Sequence, residues 1–213
     1  MQFEKFLELV PKISNLPLPG KDAQLEMAPL ERVEALGEMD IEKRNPRWAA
    51  VMALFYPDKT GECRMALILR RTYKGVHSNQ VGFPGGKVEP EDRDLEDTAC
   101  RETEEEVSVP GKDIQVFKMT TKTYIPPSNF WVQPFMGYVD YTPRFLPQDA
   151  EVAAMIEARV DDLLDSENLI TKNLSTSYAL NIDVPAFKIN GYIVWGATAM
   201  MLNEMKHLLR QAR

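Results

Sequence analysis

A layered α/β architecture is predicted for this chain of 213 residues by three observations: short apolar runs separated by turn residues, two stretches of helical apolar spacing among them, and a hairpin signal near the end. The apolar share of 44% and the charged share of 27% are ordinary for a globular protein, and the length suffices to bury one substantial core. We therefore expect one domain over 48–213, preceded by an N-terminal helix and irregular arm, 1–47, packing on it.

From the start, Phe3, Phe6, Leu7 and Val10 recur at helical spacing before Pro11, predicting a short amphipathic helix. Leu16-Pro17-Leu18-Pro19-Gly20 interrupts it, and 21–47 mixes charge, Met and Pro without periodicity, which reads as an irregular wrap that also offers a contact for a homodimer. Trp48–Tyr56 and Cys63–Arg70 are apolar runs separated by Pro57-Asp58-Lys59-Thr60-Gly61, a turn composition that favours a β-hairpin. The second strand ends in Arg70-Arg71, close to Lys74. These cations are either solvated loop residues or contacts for substrate phosphates, for which arginine has bidentate geometry. His77 is either a substrate contact or a loop histidine bonded to backbone.

Strands at Ile114–Thr121 and Gln133–Tyr141 flank Tyr124-Ile125-Pro126-Pro127-Ser128-Asn129-Phe130, where Tyr124 and Phe130 either stack on an adenine ring or pack as core or lid. Met155–Val160 reads as a strand and Leu163-Leu164 as a short helical turn. Val184–Phe187 and Tyr192–Trp195 bracket Asn190-Gly191, a type I′ hairpin signal. Gly196-Ala197-Thr198-Ala199 then opens a helix whose apolar face is Met200, Met201, Met205, Leu208 and Leu209, with His207 on its surface near the end.

The stretch around which the chain is organised runs from Phe83 to Val109. A helix over about Leu95–Val107 places Glu102, Glu105 and Glu106 on one face, related by steps of three and four. Like charges at that spacing repel, by roughly 3 kcal/mol per pair at ~6 Å and an effective dielectric of about 20, and the helix C-terminus disfavours anions as well. A hard divalent cation resolves the conflict, since Mg²⁺ takes oxygen ligands and keeps positions for water and substrate phosphates. Gly85 and Gly86 permit a tight loop whose carbonyls can approach a metal, and Arg101 can pair with a neighbouring carboxylate. A merely solvated glutamate face is the alternative, and these neighbours weigh against it.

At these residues the chain resembles the Nudix hydrolase family. The family's box, G-x5-E-x7-R-E-U-x-E-E-x-G-U with U a bulky aliphatic residue, is matched from Gly86 through Arg101-Glu102 and Glu105-Glu106 to Val109. Asp92 stands for the first Glu, one extra residue separates it from Arg101, Thr103 takes a U position and Ser108 replaces the late Gly. The spacing is similar to the coenzyme A pyrophosphatase branch, F-P-G-G-x-x-D-x-x-D-x5-T-A-x-R-E, through Phe83-Pro84-Gly85-Gly86, Glu89, Asp92, Thr98-Ala99 and Arg101-Glu102. Residues 73–86 resemble that branch's upstream signature in altered form: Arg70 matches its first Arg, while Gly75 and Asn79 stand where Arg and Gly are expected. Trp195-Gly196-Ala197-Thr198-Ala199 also resembles the branch.

The resemblance implies the Nudix fold, a mixed β-sheet sandwiched between α-helices, over roughly Trp48 to Leu209. It implies hydrolysis, dependent on Mg²⁺ or Mn²⁺, of a pyrophosphate bond in a nucleoside-diphosphate-linked substrate. Glu102, Glu105, Glu106 and the Gly85 carbonyl would hold metal, Arg101 would orient the cluster, and Glu105 or Glu151 would take the proton from the attacking water. Glu151 answers to the glutamate that several Nudix enzymes bring from a distant loop; its alternative is a surface carboxylate. Arg70, Arg71, Lys74, Gly86, Tyr124 and Phe130 are the expected substrate contacts. The leading substrate is coenzyme A or an acyl derivative, cut to adenosine 3′,5′-bisphosphate and a 4′-phosphopantetheine product. ADP-ribose, a dinucleotide or a nucleoside triphosphate keeps the same chemistry. A nucleotide-binding regulatory domain without turnover is the reading of another class, and the three retained glutamates speak against it.

The net charge of −7 argues against a general nucleic-acid binder, and much of the acidity lies between Glu89 and Glu106. The two cysteines, Cys63 and Cys100, are expected as buried free thiols. With no secretory h-region and no apolar run long enough to span a bilayer, the expected compartment is cytoplasmic and the expected partner a small molecule rather than a membrane.

Overall fold

Alternation along one strand divides the molecule into two cores. The computed structural model describes residues 1–71, 80–175 and 180–213. Helices α1 (Phe3–Asn15), α2 (Gly20–Leu25) and α3 (Leu30–Gly37) precede the hairpin of β1 (Arg47–Pro57) and β2 (Cys63–Arg70). Then come β3 (Val81–Gly82), β4 (Gly85–Lys87), α4 (Leu95–Val107), β5 (Gln115–Met119), β6 (Thr123–Ile125), β7 (Phe130–Tyr138) and β8 (Val152–Arg159). The chain ends with α5 (Val160–Leu164), β9 (Leu169–Leu174), β10 (Ile182–Ile189), β11 (Tyr192–Trp195) and α6 (Gly196–Ala212).

The main sheet runs β3-β2-β1-β7-β5, with β4 added to β1, β6 to β7 and β8 to β2. It is mixed: β1 and β7 are parallel from Arg47/Phe130 to Phe55/Tyr138, while β1 is antiparallel to β2 and β4. β9, β10 and β11 form a second, antiparallel sheet. Asn190 and Gly191 both have positive φ, 48° and 82°, as the predicted type I′ turn requires.

On β1, Ala50, Met52, Leu54 and Tyr56 join Ala99 and Val107 of α4 in one core, and Ala49, Val51, Ala53 and Phe55 face α1 and α6 in the other. Helices thus cover the sheet on both sides, the mixed α/β arrangement expected from the sequence. Cys63 is a buried free thiol and Cys100 is half-buried. No helix among the described residues is long and apolar enough to cross a membrane.

The N-terminal region differs from its sequence reading. α1 continues through Pro11 to Asn15, because Leu9 and Ile13, both buried, anchor it on either side of the exposed proline. Pro11 removes one backbone donor yet leaves that apolar face intact. Residues 21–47 are not irregular throughout but contain α2 and α3. Their burial is largely polar: α2 buries Ala23 and Gln24, and α3 buries Arg32 alone, so no apolar period marks them.

A carboxyl group holds this arm in place. Glu204 of α6, fully buried, accepts from Gly20 N (3.3 Å), Gln24 Nε2 (2.8 Å), Thr121 N (3.2 Å) and Thr121 Oγ1 (2.6 Å). Gln24 also donates to the Thr121 carbonyl and accepts from Thr123 Oγ1, and Asn203 Nδ2 donates to the Ala23 carbonyl. Glu204→Ala leaves several of these donors unmet inside the protein and should cost about 3 kcal/mol, a fall in Tm of roughly 6–12 °C for a chain of this size. Urea unfolding checks this, and a loss below ~1 kcal/mol would reject the clamp.

Candidate active site

The glutamate helix forms where the sequence places it. Asp94 caps its start by accepting from Asp97 N (2.8 Å), and Ser108 ends it in the left-handed region, φ 61°, the conformation for which glycine is the usual residue. Thr103, at an aliphatic position of the box, is fully buried with its hydroxyl donating to the Ala99 carbonyl (2.7 Å). Both glycines of the loop are imposed by space. A Cβ on Gly85, whose φ is 149°, would lie 2.4 Å from the Ala50 carbonyl, and one on Gly86 would lie 2.3 Å from Glu102 Oε1. The Glu102 carboxylate therefore rests directly over the β4 backbone.

Two arginines hold the carboxylates from opposite sides. Arg101 forms a fork on Asp92, Nε to Oδ1 at 2.8 Å and Nη2 to Oδ2 at 3.0 Å, and donates to Glu102 Oε1 (3.1 Å), Glu105 Oε2 (3.2 Å) and the Lys87 carbonyl (3.0 Å). Asp92 is almost fully buried and accepts further from Thr98 Oγ1 and Glu89 N. The Arg101 fork holds its carboxyl well below the usual range. Asp92, standing for the first box glutamate, thus secures the arginine that orients the others.

Arg70, at the end of β2, donates to Glu106 Oε1 (3.0 Å), the Gly85 carbonyl (2.8 Å) and, more weakly, the Phe83 carbonyl (3.5 Å). Glu106 also accepts from Gly85 N (2.8 Å) and is 1% exposed. Burial pushes its carboxyl up to about 7, against the pull of Arg70 and the Gly85 N–H, and burial raises Glu102 as well. Glu105 is the exposed member of the trio.

Glu151 sits just before β8, whose pairing with β2 brings Arg70 opposite Val152. Its backbone carbonyl accepts from Arg71 N (2.8 Å), and its side chain is exposed, with a charge that contributes to the raised values of Glu102 and Glu106. That loop is stitched to the end of α4: Leu146 N donates to the Val107 carbonyl, Gln148 N to the Glu106 carbonyl and Ser108 Oγ to the Leu146 carbonyl.

A cleft of about 470 Å³ opens beside this cluster, on the α6 side of the sheet, and shares Arg70, Gly85 and Gly86 with it. Ala49, Val51, Phe130 and Val132 of β1 and β7 line it, with Trp195, Ala197, Thr198 and Met201 contributed from the C-terminal part of the chain. Phe130 belongs to β7 rather than to the preceding turn, and the Arg47 guanidinium lies 4.2 Å from its ring centre. Tyr124 is absent from the lining: its buried ring packs on Trp131 and its hydroxyl donates to Asn129 Oδ1 (2.8 Å), so it packs rather than stacking on a base. Arg71 is also outside the lining, a half-exposed side chain 3.8 Å from the exposed Asp149. Lys74 and His77 lie outside the described residues. Arg32 of α3 lines the cleft and carried no sequence signal, and Trp195, Ala197 and Thr198, which also line it, were not expected as site residues.

No three Asp, Glu, His or Cys side chains among the described residues already form a closed metal cage. The donors on offer are oxygens, namely Glu102, Glu105, Glu106 and the Gly85 carbonyl, the set a hard cation prefers. Two of them, Glu106 Oε1 and the Gly85 carbonyl, already converge on one positive group, the Arg70 guanidinium.

The NUDIX domain family matches residues 46–175. The uncharacterized Nudix hydrolase NudL of Pectobacterium atrosepticum is 31% identical over 140 residues, which span 61% of this chain and 66% of that protein. The uncharacterized NudL of Yersinia pestis is 31% identical over 157 residues, 70% of this chain and 73% of its own. Among solved structures, the Nudix hydrolase RenU of M. smegmatis superposes with a TM-score of 0.53 at 13% identity, over 78% of this chain and 87% of its own, a likeness of fold. With a family match over more than half its length and a relative sharing 31% of the aligned residues, the chain belongs to the Nudix hydrolase family.

Proposed function

We propose that this chain hydrolyses the pyrophosphate bond of a nucleoside-diphosphate-linked substrate, with coenzyme A or an acyl derivative as the leading candidate. The products would be adenosine 3′,5′-bisphosphate and a 4′-phosphopantetheine compound. The observation that carries the hydrolytic reading is the meeting, at Gly85, Gly86 and Arg70, of a glutamate helix held by Arg101 with a cleft large enough for half of such a substrate. The coenzyme A reading rests on the Phe83–Glu102 spacing and on the Trp195–Ala199 segment, which forms part of the cleft wall.

Glu102, Glu105, Glu106 and the Gly85 carbonyl would hold Mg²⁺ or Mn²⁺, which when bound supplies the positive charge that neutralises the diphosphate oxygens. Arg101 keeps Glu102 and Glu105 turned toward each other despite their repulsion. Arg70 fixes Glu106 and the Gly85 carbonyl, and its position in the cleft wall lets it face a phosphate oxygen. Glu105 or Glu151, both exposed, takes the proton of the attacking water. The apolar floor excludes water from the non-reacting half of the substrate.

Product analysis with coenzyme A, acyl-coenzyme A, ADP-ribose, NADH and nucleoside triphosphates side by side tests the reading. Release of adenosine 3′,5′-bisphosphate from coenzyme A supports it. Preference for another diphosphate keeps the chemistry and discards coenzyme A, and silence on all of them favours a binding domain.

Glu105→Gln and Glu106→Gln should each lower kcat by about 10²-fold or more with unchanged circular dichroism. Near-normal turnover in Glu106→Gln would reject the metal set. Because Arg70 supports Glu106 and Gly85 as well as facing the cleft, Arg70→Ala should lower kcat and raise KM together. An effect on KM alone would leave it a pure phosphate contact. The pH dependence of stability has a definite sign. The metal-free folded protein keeps the Glu106 proton up to about pH 7, whereas a carboxyl of ordinary value 4.5 has lost it in the unfolded chain. Unfolding free energy should therefore fall as pH rises through that window, by at most about 3 kcal/mol, and Glu106→Gln should flatten the slope. An equal slope in that variant would place its origin elsewhere.

A further inference from the structure

The cleft has a wall that the matched family residues, 46–175, do not supply. Pro29 and Arg32 come from the N-terminal arm, and Arg32, 5% exposed, is the buried side chain of α3. Its Nη2 donates to the Tyr124 carbonyl (3.1 Å), which places it beside Ile125, Pro127 and Phe130 at one end of the cleft. Arg70, Gly85 and Gly86 mark the other end. Along β1 the register gives the separation: Phe130 and Ile125 lie level with Arg47, Gly85 lies level with Val51, and four strand residues span roughly 13 Å.

Charge along this cleft is of one sign. Among its described lining residues the ionisable side chains are Arg32, Arg70 and Lys87, with no Asp or Glu, in a chain whose net charge is −7. Arg70 belongs to the end where the diphosphate reacts, and Lys87, paired with Ala49, lies between the two ends. Arg32 puts a planar cation at the remote end, beside Ile125, Pro127, Ser128 and Phe130, where its fork geometry suits a phosphate. Its place is built rather than incidental, since the Glu204, Gln24, Thr121 and Asn203 network fixes the arm to α6 and to the segment leading into β6.

We propose that Arg32 is a specificity residue that binds an anionic substituent, a phosphate monoester, on the non-reacting half of the substrate. This rests on the pyrophosphatase reading above and deepens it. Under the coenzyme A form of that reading, only the nucleotide half carries a second anion, so the cleft takes the adenosine half and Arg32 reads its 3′-phosphate. The chemistry requires only that an anion away from the reacting diphosphate be read by a guanidinium outside the matched family residues.

The test is kcat/KM for coenzyme A against 3′-dephosphocoenzyme A in the wild type and in Arg32→Gln. The wild type should prefer coenzyme A at least tenfold, mostly through KM, and the ratio should fall toward one in Arg32→Gln. Equal values in the wild type, or an undiminished ratio in the variant, would overturn the proposal. Should Arg32→Gln fail to fold, Arg32→Lys keeps the charge without the fork and should give an intermediate ratio; an unchanged ratio again overturns it. If neither compound is turned over, the coenzyme A reading falls by itself. Arg32 is then judged by calorimetric binding of adenosine 3′,5′-bisphosphate against AMP: tighter binding of the bisphosphate, lost in the variant, supports the role, and equal affinity refutes it.

Discussion

Crowding of carboxylates on one helix face is the constraint that the site is arranged to satisfy. Glu102 and Glu106 are drawn in over the β4 backbone, where burial disfavours their charge, and Arg101 and Arg70 restrain them from two directions. Exposed ion pairs contribute little, but here the Asp92 side chain is almost wholly buried and held charged, so removing Arg101 would strand that charge inside the protein. The same requirement reaches the backbone. Both arginines also donate to carbonyls flanking or within β4, at Lys87 and Gly85, and the two glycines exist because strand pairing on one side and a carboxylate on the other leave no room for a side chain.

β1 connects the chemistry to the cleft without belonging wholly to either. Its even-numbered residues pack under the glutamate helix and its odd-numbered residues Ala49 and Val51 form cleft floor. β4, paired to β1 at these positions, is the edge over which the two faces meet. Under the proposed reading, a substrate lying in the cleft would present its reacting end to β4 while the remainder stayed on the α6 side.

The sequence was most informative where local rules suffice. The glutamate helix could be placed from its glutamate spacing and box, and the Asn190-Gly191 turn from its φ requirements. It was least informative where polar groups are buried by distant partners. α3 hides a single arginine and α2 a glutamine, so hydrophobic periodicity passes over both, although Glu204 and Asn203 hold that arm in place from the far end of the chain. Tyr124 illustrates the converse. Its neighbours left stacking on a base and packing both open, and the pairing of β6 with β7, which sets it against Trp131, shows that the ring turns inward. The position of Glu151 likewise depends on β2–β8 pairing, a contact between segments some eighty residues apart.

The stitching of residues 146–148 to the end of α4 has a mechanical consequence. Three hydrogen bonds join that loop to Glu106, Val107 and Ser108, immediately ahead of Glu151. A displacement of the helix along its axis would pull on the loop, which couples the position of Glu151 to that of the helix carboxylates. A shift of either segment alone would first have to break those bonds.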